Sequence, residues 1–97
     1  MRKVDALRIL TGLVPQIRQR FGVESLALFG SVARDEAGSS SDVDVLVGFR
    51  GTPDFDRFMD LKLFLEEHLG ARVDLVTTSA LRPRLRAGVD LDAINVP

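Results

Sequence analysis

The sequence predicts a small α/β (α+β) domain, a mixed β-sheet flanked by helices, and three observations lead there. Short apolar runs of strand length alternate with stretches of helical periodicity. Breaks rich in Gly, Ser and Pro separate them. With 97 residues there is material for one hydrophobic core and no room for a second, so residues 1–97 read as a single domain.

Taken in order, Val4, Leu7, Leu10, Val14, Ile17 and Phe21 recur at helical spacing, which predicts one or two helices on a common apolar face. Gly12 and Pro15 favour two, with Gly12 closing the first, Pro15 early in the second and Gly22 ending it. Ser25 to Phe29 reads as a buried strand. Gly30-Ser31 is then a turn into a short helix that begins Val32-Ala33-Arg34-Asp35-Glu36, with the Ser31 hydroxyl as its cap. Residues 37–41 form a loop of small polar residues, Asp42 to Phe49 a second strand, and Gly51-Thr52-Pro53 a turn. Phe55 to Leu69 is the strongest helix, carrying Phe58, Leu61, Leu65 and Leu69 on one face and stopped by Gly70. Phe55, Phe58 and Phe64 are assigned to the core. Arg72 to Thr77 is a third strand, in which Asp74 is a charge among apolar neighbours. Ser79 is expected to cap a short helix over residues 81–87 that has Pro83 in its first turn. Residues 93–97 are either an edge strand or a tail.

Composition excludes several classes. The chain is 45% apolar and 28% charged, and no apolar stretch approaches the roughly 18 residues of a membrane span. Met1-Arg2-Lys3-Val4-Asp5 lacks the apolar core of a signal peptide, so the expected location is the cytoplasm. There is no cysteine and a single His68, which removes disulfides, thiolate sites and a cysteine nucleophile, and makes a Ser-His-Asp triad improbable. His68, late in a helix, reads as an ordinary surface imidazole near the negative end of the helix dipole. Charge is uneven: six basic against two acidic residues through Arg34, then seven acidic against two basic from Asp35 to Asp60. An acidic middle suits a cation and does not suit a nucleic-acid surface. The aromatics are all Phe, at spacings expected of a core, so base-stacking platforms are not expected. Arg82, Arg84 and Arg86 read first as a solvated basic patch and second as a partner contact.

The chemistry lies in the middle of the chain. Gly30 permits close backbone approach, and the free N–H groups of the turn that follows favour an anion such as a triphosphate. Asp42 and Asp44 stand at i and i+2 of an extended run, so both carboxylates leave one face. Two acidic groups side by side repel, and hard oxygen donors next to phosphates call for Mg²⁺ or Mn²⁺. If the third strand pairs beside the second, Asp74 joins them; its competing reading is an ion pair with Arg34 or Arg72. Arg34 itself reads equally as a phosphate contact or as a partner of Glu36 or Asp74. The combination points to metal-assisted nucleotidyl transfer.

Leu28-Phe29-Gly30-Ser31-Val32-Ala33-Arg34, Ser41-Asp42-Val43-Asp44-Val45-Leu46-Val47 and Val73-Asp74-Leu75-Val76 together resemble the minimal nucleotidyltransferase family, small relatives of the DNA polymerase beta superfamily. The resemblance covers roughly Phe21 to Leu85. It implies the polymerase beta-like fold, with Gly30 and Ser31 at the nucleotide phosphates and Asp42, Asp44 and Asp74 as metal ligands and catalytic residues. Asp74 would complete the site and help activate an acceptor hydroxyl. One departure is Asp35, where relatives often carry Gly; it adds a negative charge near the phosphate turn. Many such stand-alone domains are similar to antitoxins that silence a HEPN ribonuclease toxin by transferring AMP from ATP to a toxin tyrosine. The resemblance therefore implies ATP as substrate, a cognate HEPN toxin as partner and a hetero-oligomer with it. The competing readings are a binding module that neutralises its partner by contact alone, and nucleotidyl transfer to a small molecule.

Overall fold

A computed structural model describes residues 1–38, 42–80 and 93–97. Helix α1 (Lys3–Phe21) is followed by strand β1 (Val23–Phe29), the one-turn helix α2 (Gly30–Ala33), β2 (Val43–Phe49), α3 (Phe55–Leu69), β3 (Val73–Thr77) and β4 (Ile94–Asn95). The expected helix over 81–87, with Pro83 and the three arginines in and beside it, lies outside the described residues.

The strands form one mixed sheet in the order β3-β2-β1-β4. β1 runs antiparallel to β2 and to β4, whereas β2 and β3 are parallel and joined by α3. The edge strand considered for the C-terminal residues is thus formed, with Leu28 opposite Ile94. Along β2 the buried residues Val43, Val45 and Val47 alternate with half-buried Asp44 and Leu46. In β3, buried Val73 and Leu75 flank exposed Asp74. The valine and leucine faces of β1, β2 and β3 share a core with Ala6, Leu10, Val14, Ile17 and Phe21 of α1 and Leu61, Phe64, Leu65 and Leu69 of α3.

Two local expectations are corrected. The N-terminal helix is continuous: Pro15 lies inside it, and Gly12 has open space where a side chain would be. Both positions are exposed, and the stripe from Ala6 to Phe21 keeps its phase through them, so core packing outweighs the helix breakers. Gly22 does end the helix, in the left-handed conformation at φ 66°. Phe55 is 74% exposed and so not core, since it is the first residue of α3, whereas Phe58 is half-buried and Phe64 buried. The cap of α3 is Asp54, whose Oδ1 accepts from the Arg57 N–H at 2.7 Å. After β3 the Thr77 hydroxyl oxygen accepts from the Ala80 N–H at 3.2 Å, and the helix that Ser79 was expected to cap lies outside the described residues.

One side chain ties α3 to the sheet. The Glu66 carboxylate accepts from the Val73 N–H at 2.9 Å and from Lys62 Nζ at 3.0 Å. The Val73 N–H and then Lys62 hold its pKa below the usual glutamate range. A carboxylate with a depressed folded pKa stabilises the fold above the unfolded value and loses that contribution as pH falls through the folded one. Glu66→Gln is therefore expected to flatten the acid limb of the stability profile, measured as urea midpoint between neutral and strongly acid pH. An unchanged acid limb would remove Glu66 from that role.

Candidate active site

The carboxylates converge because of register. Asp44 of β2 is paired in the parallel ladder with Asp74 of β3, and on its other side with Phe29, the last residue of β1. Paired residues share a sheet face. Asp44, Asp74 and Phe29 therefore stand together on the face opposite the core, with Leu46 and Val76 next along it, both half-buried. Asp42 directly precedes β2 and is exposed.

The turn after Phe29 closes this group. Gly30 has φ 71°, and a Cβ there would overlap Asp44 Oδ2 and come within 2.9 Å of its Cγ. The absence of a side chain at Gly30 is thus what lets the turn lie against the Asp44 carboxylate. α2 is N-capped by Phe29 without any side-chain cap bond, so the expected capping role of the Ser31 hydroxyl is not realised. Buried Val32 and Ala33 anchor the turn to the core and leave Ser31 half-buried.

Burial pushes the Asp44 carboxyl above the usual aspartate range; the charges of Asp74 and Asp42 and a hydrogen bond with Asp74 push it further, and the Arg34 guanidinium opposes them. Like charges close together in a half-desolvated setting disfavour ionisation. Arg34 also pairs with Glu36, Nε to Oε2 at 3.2 Å, one of the partners expected for it. The ion pair considered for Asp74 falls instead on Asp42, whose Oδ1 lies 3.3 Å from Arg72 Nε.

The three aspartates offer only hard oxygen donors, and the strain on Asp44 is of the sign that a bound cation relieves, so the donor set fits Mg²⁺ or Mn²⁺ in kind. Among the described residues, no three His, Cys, Asp or Glu side chains are gathered closely enough to enclose an ion. Asp42 is paired with Arg72 here. Away from this site, a groove runs between α1 and α3, lined by Arg20, Asp56, Arg57, Asp60 and Glu67 among others. None of the expected site residues lines it. No described helix is long and apolar enough to cross a membrane.

Sequence reasoning missed two features. Asp35 takes φ 59°, a left-handed conformation, and Arg72 had been weighed only as a partner of Asp74.

A strand-turn-helix sets glycine against a carboxylate and paired aspartates follow on adjacent strands, and comparison with known proteins shows the family in which this arrangement occurs here. The nucleotidyltransferase domain family matches residues 10–93, so the chain belongs to that family. It is similar to the protein adenylyltransferase MntA of Thermococcus cleftensis, 47% identical over 74 residues that cover 76% of this chain and 75% of that protein. A solved candidate minimal nucleotidyltransferase is 41% identical, with TM-score 0.81 over 97% of this chain and 95% of the other. Fold likeness extends to a toxin-antitoxin crystal structure with AMP-PNP, 21% identical with TM-score 0.75 over 90% of this chain and 72% of that one. It extends also to the Shewanella oneidensis complex of a tri-AMPylated HEPN toxin with its MNT antitoxin, 19% identical with TM-score 0.69 over 94% and 71%. The chain is a nucleotidyltransferase with the minimal fold of that class.

Proposed function

We propose that this single minimal domain transfers AMP from ATP to a hydroxyl of a protein partner, a tyrosine of a cognate HEPN ribonuclease toxin, and so acts as a cytoplasmic antitoxin in a hetero-oligomer with it. The observation that carries the reading is the pairing of Asp44 with Asp74 beside Gly30. The likeness to the protein adenylyltransferase MntA supports the protein acceptor, and the toxin-antitoxin structures of the same fold support the partner.

In this account the main chain at Gly30 and Ser31 binds the triphosphate, with Arg34 adding positive charge at its edge. Asp42, Asp44 and Asp74 would hold Mg²⁺ or Mn²⁺, which supplies charge neutralisation at the phosphates and at the acceptor oxygen. The acceptor oxygen forms a bond to the α-phosphorus, the bond from that phosphorus to the bridging oxygen breaks, and pyrophosphate leaves with the electron pair. Asp74, the more exposed of the paired carboxylates, takes the proton of the entering hydroxyl; a tyrosine, with a pKa near 10, needs such a base at neutral pH.

The deciding experiment incubates the protein with labelled ATP, Mg²⁺ and its cognate HEPN toxin. Label should appear on a toxin tyrosine, and Asp74→Asn should slow transfer by about 10²-fold or more while ATP affinity falls much less. The same variant should still associate with the toxin. Full protection of cells by an Asp74→Asn protein that transfers no AMP would replace this account with neutralisation by contact. Label on a small molecule alone would replace the acceptor.

A further inference from the structure

We propose that Asp35 is a positioning residue for the nucleotide: its carboxylate caps helix α1 from across the fold and so fixes the phosphate turn at Gly30-Ser31. The inference rests on the nucleotide role proposed above for that turn. Helix α1 starts at Lys3, and its N-cap residue Arg2 offers no side-chain acceptor. The first N–H groups of a helix have no partner within it. Asp35 Oδ1 accepts from the Lys3 N–H at 3.0 Å, over a sequence separation of 32 residues. Its negative charge also lies at the positive end of the α1 dipole.

The backbone at Asp35 is shaped for this contact. Among the described residues Asp35 alone, apart from glycines, has a positive φ, 59°, a conformation that aspartate enters more readily than most residues. Its N–H donates to the Val32 carbonyl at 3.0 Å, and the Glu36 N–H donates to the Ser31 carbonyl at 2.8 Å. The residue gripped by α1 thus sits between the hydrogen bonds that close the phosphate turn. A helix of four residues does not hold its own position by backbone bonding alone. Val32 and Ala33 anchor it from inside the core, and Asp35 anchors it from the outside.

Three variants and two measurements test the assignment. Asp35→Gly keeps the left-handed conformation and removes the acceptor. Lys3→Pro removes the donor N–H at a first helical position, where proline is well accommodated. Asp35→Asn keeps both an acceptor oxygen and tolerance of the backbone. The measurements are amide hydrogen exchange at Arg34 and Glu36, and the dissociation constant of ATP in Mg²⁺. Asp35→Gly and Lys3→Pro should each speed exchange and weaken ATP about fivefold, the scale of a lost helix cap. Their combination should be no worse than either alone, and Asp35→Asn should stay near the parent. Unchanged exchange, faster exchange with unchanged ATP affinity, or additive losses would each overturn the positioning role while the parent still binds ATP. A parent that binds no ATP would instead overturn the proposed function, and with it the nucleotide role, leaving the exchange result to report a structural cap.

Discussion

Asp44→Asn is expected to cut AMP transfer sharply and, in the same protein, to raise the thermal midpoint. The carboxylate lies in the ladder next to Asp74, partly buried, and its pKa is raised by burial first and then by the charges of Asp74 and Asp42. An amide of the same shape removes the repulsion and leaves the packing of β2 in place. Transfer should fall by about 10²- to 10³-fold, the range seen when one preorganised charge-stabilising group is lost from a site. The stability gain has a definite pH dependence. A folded pKa raised above the unfolded one makes the fold most stable below the unfolded value, and that stability is lost as pH rises through the folded one. The advantage of Asp44→Asn over the parent should therefore grow from acid to neutral pH, opposite in sign to the effect of Glu66. Thermal unfolding of both proteins across that range measures it. A variant less stable than the parent at neutral pH would show that Asp44 is held by favourable contacts and that the repulsion is not the governing term.

The second large effect is expected at Gly30, for a reason more specific than loss of flexibility. A side chain there would occupy the space of the Asp44 carboxylate, and φ 71° is a conformation costing an ordinary residue roughly 1–2 kcal/mol. Gly30→Val should lose more than that, since the overlap with Asp44 adds to the strained φ, while its neighbours Val32 and Ala33 keep their core contacts. ATP binding should be nearly lost, as the phosphates can no longer approach the backbone, and transfer should fall by at least the factor expected for Asp44→Asn. Titration of Mg²⁺–ATP into the variant, followed by the transfer assay, reads both. Parental ATP affinity in Gly30→Val would make the turn a purely structural one.

Much of this architecture was legible in the sequence because the relevant signals are strong and local. Helix α3 has the bounds expected, Phe55–Leu69, since its apolar spacing is regular and Gly70 stops it in a left-handed cap. The alternation around Asp44 and Asp74 placed each on the face away from the core, and the pairing of β2 with β3 put them side by side. What escaped depends on distant contacts. Continuity of α1 through Gly12 and Pro15 is imposed by a buried stripe that bridges both. The cap on α1 comes from Asp35, far along the chain, and the arginine beside Asp42 comes from the short return between α3 and β3. Phe55 looked like core by residue type alone, but at the first position of its helix it faces solvent.

The parallel pairing of Asp44 with Asp74 also sets a tolerance on chain length. Sliding β3 by one residue along β2 would turn Asp74 into the core and bring Val73 or Leu75 out beside Asp44. The return from α3 to β3 is only Gly70, Ala71 and Arg72, and the grip of Glu66 on the Val73 N–H fixes where the strand must begin. Upstream, residues 51–53 lie between the Arg50 N–H, which donates to the Gly22 carbonyl at 2.8 Å, and Asp54, which caps the helix. An insertion there lengthens a surface bend, whereas the same insertion at residues 70–72 puts the two carboxylates out of phase. The stretch from α3 to β3 thus works as a calliper, and the spacing it gauges is that of the two aspartates.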